Sequence, residues 1–85
     1  MSHREWPAGV NFIKAEIETG NTFADIAIGA DEVDKVSRNR TNARKAYDTA
    51  MEKVSSVELS KDERAQIERA FHGLRSKLEQ LGEKI

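Results

Sequence analysis

Five cations fall within the stretch KVSRNRTNARKAYD at positions 35–48, namely Lys35, Arg38, Arg40, Arg44 and Lys45. No acid interrupts them before Asp48, and Tyr47 stands close behind. Guanidinium and ammonium groups at this density are suited to phosphate contacts, and a neighbouring aromatic ring is a surface on which a base can stack. The first chemical question is whether this stretch grips a polyanion or is the solvated face of a helix.

Charge weighs toward the solvated face. The chain of 85 residues carries 14 Lys and Arg against 15 Asp and Glu, a formal net charge of −1. The acidic "DEVD" directly precedes the basic stretch, and "ELSKDE" follows it. A dedicated nucleic-acid binder draws much of its affinity from displaced counterions and usually carries a basic excess. Helical periodicity also spreads the five charges around the helix. Arg38 and Lys45 point outward with Glu52, Lys35 flanks them, Arg44 lies at the shoulder and Arg40 points inward. Asp31 and Glu32 precede Lys35, and Asp48 follows Arg44 and Lys45, at the spacing of local helix ion pairs. Tyr47 belongs to the apolar stripe. Nucleic acid is therefore not the expected partner, and polyanion binding through Lys35, Arg38, Arg44 and Lys45 stands as the alternative.

Other chemistry is scarce. There is no cysteine, which excludes disulfides and thiolate metal sites. His3 and His72 alone are too few for a conventional zinc site, so neither a metal nor a cofactor is expected. The chain has no nucleophile elbow, no phosphate loop and no helical His-Glu-x-x-His. His72 falls at an outward helical position. The expectation is a non-enzymatic protein.

The elements that carry these residues are helices. Apolar residues make up 38% of the chain and charged ones 34%, a balance that fits a small soluble helical domain. No apolar run approaches the ~20 residues of a membrane-spanning helix. "MSHREWPAG" lacks a signal-peptide core, so a cytoplasmic protein is expected. Pro7 can open the first helix as its first residue. Val10, Ile13, Ile17, Gly20, Ala24 and Ala27 then recur at three-four spacing. "IGADE" interrupts the pattern, with Gly29 as a C-terminal cap and Asp31 as an N-cap. The second stripe is Val33, Val36, Arg40, Ala43, Tyr47, Ala50 and Val54. Ser60 and Glu63 then form a capping box ahead of Ile67, Phe71, Leu74, Leu78 and Leu81. The reading is a single all-α domain, a three-helix antiparallel bundle with helices over about 7–28, 31–56 and 61–82. Placing the first turn near residue 30 sets Ile13 opposite Tyr47, Ile17 opposite Ala43 and Gly20 opposite Arg40. Tyr47, Ile13, Phe71 and Leu74 are expected to be largely buried.

Two features exceed what a bundle needs. Arg40, on an inward stripe opposite Gly20, calls for an acceptor because an unpaired buried charge is expensive. Glu16 is within helical reach, so Arg40 and Glu16 are expected to form a polar layer. The sharper reading is a small anion pocket of Arg40, Asn39 and Thr22. The second surplus is a line of Phe12, Phe23, Ile26 and Ala30 beside the main stripe of the first helix. Either "TGNT" breaks that helix near Gly20 and Asn21, with Thr22 capping a new segment, or the helix is continuous and a partner covers the line. The expected interface residues are Phe12, Phe23 and Ile26, in a homodimer whose two-fold axis lets the patch cover its own copy.

The blocks "ETGNTFADIA" and "RNRTNARKAYDTA" resemble those of small bacterial all-helical proteins of uncharacterised activity, over roughly two-thirds of the chain. The resemblance implies a helical fold and carries over no activity or site residue. A tetratricopeptide-like hairpin shares the texture of "NARKAYDTA", but these helices are too long for that repeat. The expected function is a protein-interaction or assembly module.

Overall fold

The computed structural model describes residues 7–85. His3 and Trp6 lie outside the described residues. Three helices follow in order: α1 (Ala8–Gly29), α2 (Val33–Val54) and α3 (Lys61–Gln80). Gly9 of α1 lies beside Val57, just past the end of α2, while Asp25 near the end of α1 pairs with Lys77 near the end of α3. The helices therefore run up, down and up. There is no strand among the described residues.

The ends show why the helices stop where they do. Pro7 serves as the N-cap of α1, one residue before the first helical position. Its fixed φ suits that place, and its carbonyl accepts from the Asn11 amide at 3.0 Å. Residues 30–32 make the first turn, with Glu32 rather than Asp31 as the N-cap of α2, and neither that cap nor Pro7 has a side-chain cap bond. The capping box of α3 forms as expected: Ser60 Oγ accepts from the Glu63 amide at 3.1 Å, and Glu63 Oε1 accepts from the Ser60 amide at 2.9 Å. At the far end Gly82 adopts φ 97°, and the Glu83 amide reaches back to the Leu78 carbonyl at 2.9 Å. That left-handed turn needs glycine and folds the following residues toward α2.

Helix α1 does not break at Gly20 and Asn21. The polar side chains of "TGNT" bond backward along the same helix: Asn21 Nδ2 donates to the Ile17 carbonyl at 3.1 Å and Thr22 Oγ1 to the Glu18 carbonyl at 3.1 Å. These are the i−4 back-bonds of side chains inside a continuous helix, not the oxygen-accepted bonds of an N-cap. Gly20 is itself buried, and a Cβ there would lie 2.7 Å from Leu74 Cδ2 and 3.3 Å from Ala46 Cβ. This glycine admits a close approach of helices.

The core forms around that approach. Val10, Ile13, Ile17 and Ala24 of α1, Ala43, Tyr47 and Ala50 of α2, and Ile67, Leu74 and Leu78 of α3 make one buried cluster. Phe71 is half-buried and meets Tyr47 edge-on at 5.4 Å between ring centres. The small residues that α1 and α2 turn toward each other let those two helices pack along their length. Helix α1 contacts α3 less, and α2 and α3 touch least. The register differs from the expected one: Gly20 meets Ala46 and Leu74, not Arg40. Val33, expected on the buried stripe, is 81% exposed. It is the first residue of α2, and its neighbours 31–35 are exposed with it.

The two kinds of helical glycine have opposite consequences. Gly73 lies on an exposed face where an added methyl would meet open space, so Gly73→Ala is expected to stabilise by about 0.5–1 kcal/mol through helix propensity. Gly20→Ala has the same propensity gain, but the methyl collides with fully buried Leu74, and a net loss of about 1–2 kcal/mol is expected from overpacking. Urea unfolding of both variants checks the opposite signs. Leu74→Ala should cost about 2–5 kcal/mol in the same assay, and a loss below about 1 kcal/mol would contradict its central place.

Candidate functional site

The basic stretch of α2 divides into two groups. Lys35, Arg38 and Lys45 are exposed, and none of the three makes an ion pair among the described residues. Arg40 and Arg44, one helical turn apart, face the segment that follows α3. Arg40 Nε lies 2.8 Å from Glu83 Oε2, and Arg44 Nη1 lies 3.0 Å from Glu83 Oε1. The two guanidinium groups also hold main-chain oxygens, Arg40 donating to the Leu81 carbonyl at 3.1 Å and Arg44 to the Lys84 carbonyl at 3.2 Å. From α3, Arg75 donates to the Ile85 carbonyl at 3.3 Å. The segment 81–85 is thus a strap held across the end of the bundle.

Arg44 has a second anionic neighbour, with its Nε 3.0 Å from Asp48 Oδ1. The hydrogen bond to Asp48 first, and that to Glu83 after it, raise the pKa of Arg44 above the ordinary guanidinium value, while burial works the other way. Arg44 is therefore a permanent cation in this setting. Glu83 is the most enclosed member of the network, its side chain 17% exposed.

The expected Arg40–Glu16 polar layer does not form. Ala46 takes the place against Gly20, and the Arg40 side chain, 45% exposed, reaches Glu83 instead. The physical reason is desolvation: a guanidinium at the bundle end keeps part of its hydration, whereas one between α1 and α2 would lose it. No anion pocket joins Arg40, Asn39 and Thr22 either, since Asn39 Nδ2 donates to the Lys35 carbonyl at 2.8 Å and Thr22 bonds within α1. The sequence signal that could have found the real partner was the "LGEK" after α3, a glycine turn followed by an acid.

The three expected interface residues separate as well. Phe12 and Ile26 are 42% and 38% exposed. Phe23 is half-buried and packs against the core cluster. Phe12 borders an open groove of about 470 Å³ lined also by Thr49, Glu52, Lys53, Ser55 and Ser56 of α2 and the turn after it. Lys53 Nζ stands 5.5 Å from the Phe12 ring centre, a cation–π contact at the groove wall. A second groove of about 260 Å³ opens where α2 and α3 diverge, lined by Tyr47, Met51, Glu68, Phe71, His72 and Arg75. His72 is exposed there. Among the described residues no group of three or more His, Cys, Asp or Glu side chains is placed to hold a metal ion.

Compared with protein-family models, curated proteins and solved structures, the chain matches none. The class defined by the fold is an all-α three-helix bundle.

The strap gives a direct stability test. Glu83→Gln keeps the size of the side chain and removes the charge shared by two arginines. It is expected to cost about 1 kcal/mol, between an exposed ion pair and a hydrogen bond to charge. The loss should shrink as salt rises, because these partly exposed charges are screened. Urea unfolding at low and high salt measures both effects.

Proposed function

We propose that this chain is a non-enzymatic protein-interaction module that self-associates through the outer flank of α1. The observation that supports this reading most is the unbroken course of α1 (Ala8–Gly29). A break at Gly20 would have rotated the second apolar line inward. The continuous helix leaves Phe12 and Ile26 facing outward. Apolar burial is the main driving force open to a chain of net charge −1, and such a chain repels its own copy little. Among the described residues no helix is long and apolar enough to cross a membrane. A cytoplasmic setting belongs to the same proposal.

A second reading rests on Lys35, Arg38 and Lys45, exposed and without ion-pair partners among the described residues. They would contact a polyanion, with Arg44 joining them only from beneath Asp48 and Glu83. Its binding would weaken steeply with salt, whereas apolar association would change little.

Burial of Phe12 and Ile26 contributes roughly 1.5–3 kcal/mol each before the costs of association are subtracted. The variant that tests the dimer is Phe12→Asp. Phe23→Asp is unsuitable, because Phe23 packs against the core and a charge there would destabilise the fold as well as any interface. Phe12→Asp should give a folded monomer, with sedimentation reading the mass and circular dichroism the fold. Wild-type chain that is still monomeric at about 1 millimolar, the concentration to which ~4 kcal/mol of net association energy corresponds, would end the self-association reading.

A further inference from the structure

The strap across the bundle end has the chemistry of a bound peptide. We propose that Arg40 and Arg44 form a receptor for an acidic peptide segment of a partner protein, a site the chain fills in cis with its own residues 81–85. This belongs to the interaction-module reading but rests on residues remote from Phe12 and does not depend on self-association.

Four acceptors define the occupant. The Glu83 carboxylate places one oxygen on each guanidinium, at 2.8 and 3.0 Å, and the same two arginines take the Leu81 and Lys84 carbonyls at 3.1 and 3.2 Å. A carboxylate flanked by main-chain carbonyls is what an extended acidic peptide offers. A nucleic acid brings phosphate oxygens without the amide carbonyls. Asp48, 3.0 Å from Arg44 Nε, would repel a continuous polyanion yet leaves a single carboxylate its place.

The site continues past the arginines. Arg75 holds the Ile85 carbonyl at 3.3 Å and also lines the groove between α2 and α3, beside Tyr47, Met51 and Phe71. Met51 is 46% exposed there. A partner segment with an acid followed closely by an apolar residue would set the acid on Arg40 and Arg44 and the apolar side chain in this groove. The cis occupant is held through a turn and a partly exposed guanidinium. It is joined to α3 through Gly82 at φ 97°, and the Arg40 side chain that holds it remains 45% exposed. Ion pairs at such exposure contribute little net free energy. An attached segment nevertheless competes at an effective concentration on the order of millimolar, so the cis strap lowers the apparent affinity for any partner.

The test uses the full chain and a synthetic peptide, acetylated Leu-Gly-Glu-Lys-Ile, titrated into wild type and Glu83→Gln while the arginine Nε–H signals are followed by NMR. Glu83→Gln should bind the peptide roughly fivefold tighter than wild type, since the competing carboxylate is gone. Adding Arg40→Ala, or replacing the peptide's glutamate by glutamine, should abolish the gain. Gly82→Ala, strained at its positive φ, should lift the strap without removing any charge and produce the same gain, which covers the case of a Glu83→Gln chain that folds poorly. Equal binding by wild type and both strap variants would overturn the proposal. So would tighter binding of Glu83→Gln to a short single-stranded RNA than to the peptide. Repeating the titration in the Phe12→Asp background separates this site from the dimer: the peptide result is expected unchanged even where self-association is lost.

Discussion

The absence of a side chain at Gly20 is the constraint on which the rest of the structure depends. Leu74 Cδ2 occupies the space where a Cβ would be, and Ala46 closes in from α2. Only glycine lets α1 lie that near to both neighbours at once. The helix runs unbroken across this point, with Asn21 and Thr22 bonding back to their own preceding turn. The small residues Ala43, Ala46 and Ala50 extend the close seam along α2. With the seam filled by Ala46, there is no room between α1 and α2 for a guanidinium, and Arg40 goes to the end of the bundle.

Helices α2 and α3 approach each other less than either approaches α1; the Tyr47–Phe71 ring contact joins them, and ion pairs tie α2 to the segment after α3. Arg40 and Arg44 reach from α2 to the segment after α3, and Glu83 answers both. The glycine turn at Gly82 makes this possible by reversing the chain after α3. Five basic residues that lie in one stretch of the sequence therefore belong to two environments. Two are spent on an internal acid, and three remain in water. The same thinness of α2–α3 packing leaves the groove bounded by Tyr47, Met51 and Phe71.

The surfaces left over have different characters. On the flank of α1, Phe12 and Ile26 are single apolar side chains roughly 20 Å apart at 1.5 Å per helical residue, with Phe23 between them turned partly into the core. That is a surface for modest association through shape and apolar area. At the strap end, recognition would instead be ionic and directional, since each arginine presents a fork of donors to fixed oxygens. A small interaction module can use both because they lie on different helices and draw on different forces.

Composition and periodicity by themselves determined the helical class, the number of helices and most of the core. Three-four spacing of Val10, Ile13 and Ile17, and of Ile67, Phe71, Leu74 and Leu78, has one physical meaning, a helical face turned to the core, and Ser60 with Glu63 marks the start of α3 through purely local bonds. The partners of Arg40, the exposure of Val33 and the fate of the second apolar line were decided by tertiary structure. Each depends on how far one helix slides along another and on what stands beyond a helix end. Those quantities are settled by contacts between residues far apart in the chain, such as Gly20 with Leu74 and Arg44 with Glu83; the glycine turn and acid of "LGEK" mark a candidate acceptor without fixing which cation reaches it. Local spacing could assign Arg40 to a face of α2; only the register of Ala46 against Gly20 and the turn at Gly82 could choose Glu83 as its acceptor.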